Sequence, residues 1–297
     1  MTAFRFTQRS PVFQIGAGYP NRLLLMNLHR RDFIKTAVTA SVAAAGLGAS
    51  TAAAAAVSSS GAAGGREYYE LRAYRLKAGA SPARLDAYLE KAFIPALNAR
   101  GIKSVGVFTE PEPKDGPAVW VLIPHASMES VASVTADINR DATVLSAGAD
   151  YLNLSDPKNP AFDRMDSWLL LAFAGLPKLE IPALAQAGKS RIYEMRTYES
   201  FSELKALKKV EMFNSGEIEV MKELNMSPVF YGQGLVGGDL PHLTYMLSGP
   251  DRETHAKHWT AFGKHPVWNK LKSDPQYADT VSKITSRILV PATYSQV

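Results

Sequence analysis

The segment Tyr69-Glu70-Leu71-Arg72-Ala73-Tyr74 returns 124 residues later as Tyr193-Glu194-Met195-Arg196-Thr197-Tyr198. At the same offset Pro117-Ala118-Val119-Trp120-Val121-Leu122-Ile123 falls on Pro241-His242-Leu243-Thr244-Tyr245-Met246-Leu247. Two separated segments agreeing at one offset imply two copies of one unit. The fold must then be one in which a unit is stable beside its twin.

Each copy reads as strand, helix, strand, strand, helix, strand. In the first, 67–76 alternates as a strand, and Ser81-Pro82 opens an amphipathic run that stops at Gly101. Residues 102–109 and 119–123 are β-rich and joined through Pro111-Glu112-Pro113-Lys114-Asp115-Gly116, a hairpin-type loop. A helix over 127–139, a Pro- and Asn-containing loop and a last strand at 168–173 complete the copy. The second repeats the plan with a strand at 192–198, a helix over 202–224, strands at 229–236 and 243–247, a helix capped by Asp251 and a strand at 284–290. This order is the ferredoxin-like motif. The fold class expected is therefore α+β, with units at 66–176 and 190–292 and a linker at 177–189. One such sheet covers only one face with its helices, so the other must pack on a second sheet, giving an α+β barrel.

The Tyr-Glu-x-Arg-x-Tyr strand in both halves resembles the NIPSNAP family. So does the helix from Arg252 through Trp259-Thr260-Ala261-Phe262, followed by His265-Pro266-Val267-Trp268. In the first half Arg252, Trp259, Phe262 and Trp268 have no clear counterparts. The resemblance implies two ferredoxin-like units with facing antiparallel sheets, and it names no activity. Related α+β barrels include haem enzymes and cofactor-free oxygenases that keep a His or Asn at the sheet–helix cleft, a likeness of fold that does not fix function.

Asn27-Leu28-His29-Arg30-Arg31-Asp32-Phe33-Ile34-Lys35 resembles a twin-arginine export box, with Arg30, Arg31 and Phe33 as its core. An uncharged, Ala-rich run to Ala56 follows and offers several small-residue cleavage sites. The expectation is a signal peptide over 1–56, engagement of the twin-arginine translocase, and a periplasmic or secreted product. Removing the leader's six basic residues and one acidic residue leaves 27 of each, so the net charge of +5 belongs to the leader. A nucleic-acid role loses its electrostatic support. The chain has no cysteine, which excludes disulfides, thiolate metal sites and a Cys nucleophile.

Strand alternation puts Tyr69, Leu71 and Ala73 on one face and Glu70, Arg72 and Tyr74 on the other. The apolar set is expected to pack on the helices. That leaves Glu70, Arg72 and Tyr74, with Glu194, Arg196 and Tyr198, facing the space between the sheets or its rim. Each Glu/Arg pair reads either as an ion pair locking the barrel or as an anion site with Glu as a base. Of six histidines, His29 lies in the leader; His125 lies in the first copy and His242, His255, His258 and His265 in the second. His255 and His258 have a spacing that permits two metal ligands, but no well-placed acidic third ligand accompanies them, so no metal is expected. His242 and His265 join Arg72, Arg196, Glu194 and Tyr198 as catalytic candidates. Trp120, Tyr231, Tyr245, Trp259 and Trp268 are candidates to line a ligand cavity, against the alternative that they are core. There is no P-loop, dinucleotide fingerprint, G-x-S-x-G or H-E-x-x-H. The reading is an exported barrel that binds a small apolar or carboxylated molecule between sheet and helices, with no cofactor strongly indicated and self-association left open. Alternatives are a cofactor-free or haem-linked oxygenase- or isomerase-like enzyme, and a structural or interaction module.

Overall fold

A computed structural model describes residues 65–153, 156 and 158–297. The signal peptide expected over 1–56, with Arg30, Arg31 and Phe33, lies outside the described residues. Strand β1 (Tyr68–Arg75) leads to α1 (Ala83–Tyr88), a π-helical turn at Leu89–Phe93 and α2 (Ile94–Ala99). Strands β2 (Gly106–Thr109) and β3 (Ala118–His125) form a hairpin, and α3 (Met128–Ile138), α4 (Ala142–Ala147) and α5 (Ala149–Leu152) precede β4 (Arg164–Ala172). After α6 (Ala183–Gln186) the second half runs through β5 (Ile192–Glu199), α7 (Glu203–Met212), a π-helical turn at Phe213–Glu217 and α8 (Ile218–Glu223). It closes with β6 (Pro228–Val236), β7 (His242–Gly249), α9 (Arg252–Lys264), α10 (Pro266–Ser273) and β8 (Lys283–Pro291).

Local chemistry explains the helix starts. Ser127, Ser202 and Asp251 each accept from the backbone N–H three residues on, supplying a partner that the first turn lacks. The two π-helical turns lie 124 residues apart, so the halves match even in this departure from α geometry. The loop expected before the last strand of the first half is instead occupied by α4 and α5, and that strand begins at Arg164 rather than at 168. Among the described residues, no helix is long and apolar enough to cross a membrane.

All eight strands are antiparallel to their neighbours and close a barrel in the order β1-β3-β2-β8-β5-β7-β6-β4. The halves join edge to edge at β2–β8 and β4–β6, which leaves no open sheet edge. Tyr69, Leu71 and Ala73 pack inside this barrel with Tyr193, Met195 and Phe230. Tyr74, Val119 and Val121 pack outward on α1, α2 and α3, while Tyr198, Tyr231 and Tyr245 pack outward on the helices of the second half.

The alternation is as expected, but the two faces are exchanged. Glu70, Arg72, Tyr74, Glu194, Arg196 and Tyr198 lie under the helices, not between the sheets. Both faces are buried, so apolarity alone does not distinguish lumen from helix side. The buried charges take the side where helix residues can reach them with hydrogen-bonding groups.

Candidate functional site

One end of the lumen is filled by Tyr69, Tyr193, Phe230 and Val297. At the other end, where β1 and β5 finish and β3, β4, β7 and β8 begin, a cavity of about 450 Å³ opens. Its walls include Leu71, Trp120 and Trp168 from the first half and Met195, Thr197, His242, Thr244 and Arg287 from the second.

The halves contribute unlike chemistry at matching positions. Ala73 matches Thr197, Ala118 matches His242, and Trp120 matches Thr244, each 124 apart. On the last strands Trp168 lies opposite Leu71 and Arg287 lies opposite Met195, so Trp168 and Arg287 also correspond. Inside the lumen the first half therefore presents Leu71 and two indoles where the second presents mostly polar groups, while Arg75, Lys114 and Asp115 of the first half stand in the lining as charges. Trp120 and Trp168 are stacked with centroids 5.9 Å apart, and the Arg287 guanidinium lies over Trp120 at 5.4 Å. Across the lumen the Thr197 and Thr244 hydroxyls are 2.9 Å apart, and Thr244 Oγ1 is 3.4 Å from His242 Nδ1. Trp120 Nε1 and His242 Nε2 are buried and have no hydrogen-bond partner among the described residues.

Charge around the mouth is largely paired off. Lys283 meets Glu199 at 2.7 Å, Arg75 pairs with Asp166, and Arg287 is held by Glu110 at 3.0 Å and by Asp115. Burial holds His242 below its ordinary pKa, with Asp239 opposing, so its imidazole is neutral at pH 7. Gly234 leaves room for the His242 ring, since a Cβ there would sit 2.9 Å from Cε1 and Nε2. Gly237, at φ 138°, faces Trp168 so closely that a Cβ would overlap the indole. Replacing Gly237 by Ala is expected to cost about 1–3 kcal/mol through backbone strain and a displaced Trp168. Urea unfolding, together with a shift in the near-ultraviolet tryptophan dichroism, checks it.

The two Glu-x-Arg strands, β1 and β5, build two largely buried polar clusters under the helices. In the first, Arg72 grips Glu70 with two hydrogen bonds of 2.6 and 3.0 Å, donates to Thr135 Oγ1 at 2.8 Å and lies over Phe93. His125 Nε2 stands 3.5 Å from Glu70, and Ser167 donates to it at 3.3 Å. In the second, Glu194 is bonded to His255 Nε2 at 2.8 Å, Trp259 Nε1 at 2.6 Å, Ser286 Oγ at 2.5 Å and Arg196 Nη1 at 3.2 Å. The imidazole comes from β3 in one half and from α9 in the other. Gly249 matches His125, and its missing side chain leaves the space that His255 enters, 3.3 Å from where a Cβ would be. Burial alone would raise both carboxyls, but the donors outweigh it and hold each at about 2. These are ion pairs under the helices, with Arg196 Nε left without a hydrogen-bond partner among the described residues, and Arg72, Arg196 and Glu194 do not line the cavity.

Of the remaining candidates, Trp120 and His242 line the cavity. Tyr198, Tyr231, Tyr245, Trp259 and Trp268 belong to the core between the second-half strands and helices, where Tyr198 and Tyr245 share a 2.9 Å hydrogen bond. His265 caps α10, accepting from Val267 N–H, with Nε2 3.3 Å from Glu223. Trp168, Thr197, Thr244 and Arg287 were not singled out from the sequence. The signal that could have found Thr197 and Thr244 is the offset itself, since each replaces an apolar residue of the first copy at a lumen-facing position.

Residues 193–296 match the NIPSNAP family model. No curated protein matches the chain. Among solved structures, a candidate monooxygenase from Fusobacterium nucleatum shares the fold at 7% identity, with a TM-score of 0.50, over 76% of this chain and 93% of its own. A NIPSNAP family protein of unknown function from Agrobacterium tumefaciens is 18% identical over 35% of this chain and 89% of its own, with a TM-score of 0.31. A NIPSNAP-like domain protein from Burkholderia xenovorans is 19% identical over 35% of this chain and 88% of its own, with a TM-score of 0.32. The segment from the Glu194/Arg196 strand through α9 and α10 to β8 is thus the part of the chain that is similar to the NIPSNAP family.

Proposed function

We propose that this chain is an exported small-molecule binder whose ligand occupies the open mouth of the barrel. The observation that carries the reading is the cavity of about 450 Å³, in which Trp120 and Trp168 from one half face Thr197, His242 and Thr244 from the other. Small-molecule sites are characteristically concave and mostly apolar, with a few placed polar groups. On the same reading the halves are tandem ferredoxin-like units produced by duplication, at 66–176 and 190–292, joined by 177–189. The twin-arginine leader over 1–56 delivers the folded barrel to the periplasm.

Native mass spectrometry of the protein purified from its host's periplasm tests the binding. A mass in excess of the chain, lost on denaturation, is expected in the natural protein and absent from Thr244→Trp, which places in the second half the residue that the first half carries at the matching position. The variant's thermal midpoint serves as the control for folding. Excess mass retained in full by a folded Thr244→Trp protein would place the ligand outside the barrel. A catalytic second reading is favoured by one observation, the neutral His242 on the cavity wall, which can accept a proton from a bound hydroxyl. Turnover falling as pH drops through the lowered His242 pKa would support it.

A further inference from the structure

We infer, on the reading that the barrel mouth is the binding site, that its ligand is an uncharged planar aromatic alcohol, seated with its ring toward the Trp120/Trp168 wall and its hydroxyl toward His242 and Thr244. Three observations converge on this class. The stacked indoles of Trp120 and Trp168 offer flat apolar surface, and aromatic rings pack on such surface with a gain beyond area burial. The facing wall replaces Ala73, Ala118 and Trp120 of the first half by Thr197, His242 and Thr244, so every polar substitution between the copies at these positions falls on one side of the lumen. His242 Nε2 is buried without a partner there, at 2% residue exposure. A phenolic hydroxyl both donates and accepts, so it satisfies that nitrogen in either tautomer and can bond the threonine hydroxyls as well.

The charge arrangement argues against an ion. Arg287 is already held by Glu110 and Asp115, Lys283 by Glu199 and Arg75 by Asp166. Lys114 and Asp239 add one charge of each sign to the lining. A carboxylate entering this mouth would lose its hydration without gaining an uncommitted guanidinium, and desolvating a charge is costly. The carboxylated class expected from the sequence therefore yields to a neutral one.

Equilibrium dialysis of the mature protein against 2-naphthol, naphthalene and 2-naphthoate reads the class directly. Naphthol is expected to bind about tenfold more tightly than naphthalene, the difference that one buried neutral hydrogen bond makes. Naphthoate is expected to bind most weakly. His242→Phe should erase the naphthol advantage while leaving naphthalene affinity unchanged, a pattern that unfolding would not produce. Equal binding of naphthol and naphthalene, tightest binding by naphthoate, or binding of none of the three would overturn the ligand class and leave the cavity assignment standing. Naphthol affinity unchanged in folded Thr244→Trp protein would overturn the cavity assignment itself.

Discussion

Lys209→Leu lowers the stability of the barrel by about 3–5 kcal/mol, the cost of leaving a buried partner charge uncompensated. In the intact protein Lys209 Nζ lies 2.8 Å from Glu217, both side chains are under 5% exposed, and the ammonium sits 4.7 Å from the Phe213 ring and 5.3 Å from Trp268. Burial raises the Glu217 carboxyl, and the Lys209 ammonium opposes that rise. Removing the lysine deletes the opposing interaction and leaves a carboxylate that must take up a proton or draw in water. In a domain of this size the thermal midpoint should fall by roughly 10 °C. The first half shows that the fold does not need the pair, because the matching positions are Leu85 and Phe93, both in the core beneath α1 and α2. The double variant Lys209→Leu, Glu217→Leu should therefore recover most of the loss, since buried ion pairs are often replaceable by apolar residues of similar volume. Urea melts of the natural protein, both single variants and the double close the cycle. A double variant no more stable than the single would mean that Lys209 holds something besides Glu217.

Much of the architecture was legible because similar segments recur at one offset in the sequence, which supplies redundancy. Each strand that alternates ambiguously in one copy has a second version 124 residues away, and the caps at Ser202 and Asp251 carry their own local signature. The site was less legible, and the reason is specific. In a closed barrel jacketed by helices, Tyr69-Leu71-Ala73 and Glu70-Arg72-Tyr74 are on two faces that are both largely buried, so period-two patterning finds the faces without naming the lumen. Assigning the apolar face to the helices follows the habit of an exposed sheet, where charge points toward water. Here charge points toward Thr135, His255 and Trp259 on the helices. Trp120 and His242 were found by residue type. Trp259 and Trp268 were chosen by the same criterion and belong to packing, because an aromatic side chain suits a core as well as a cavity.

Acid unfolding should be governed by Glu70 and Glu194. Both carboxyls lie at about 2 in the folded protein against an ordinary value of 4.5, so the unfolded chain binds more protons throughout that interval. Their contribution is fully present above pH 4.5 and is lost as pH falls toward 2, with each shift worth on the order of 3 kcal/mol. Between those limits two extra protons taken up on unfolding give a stability slope of about 2.7 kcal/mol per pH unit. Glu217 has the opposite sign: burial raises its pKa, so whatever it contributes is lost as pH rises, and it does not steepen the acid limb. Glu70→Gln and Glu194→Gln should each remove about half of the slope. Glu194→Gln should also cost about 3–5 kcal/mol at pH 7, because His255, Trp259 and Ser286 lose a buried charged partner and the half-buried Arg196, over Trp259 at 4.4 Å, loses its carboxylate. Denaturant titrations from pH 2.5 to 7 measure both effects together. If either variant kept the full slope, the acid limb would belong to surface carboxylates, and the two clusters would be hydrogen-bonded locks with no share in the pH dependence.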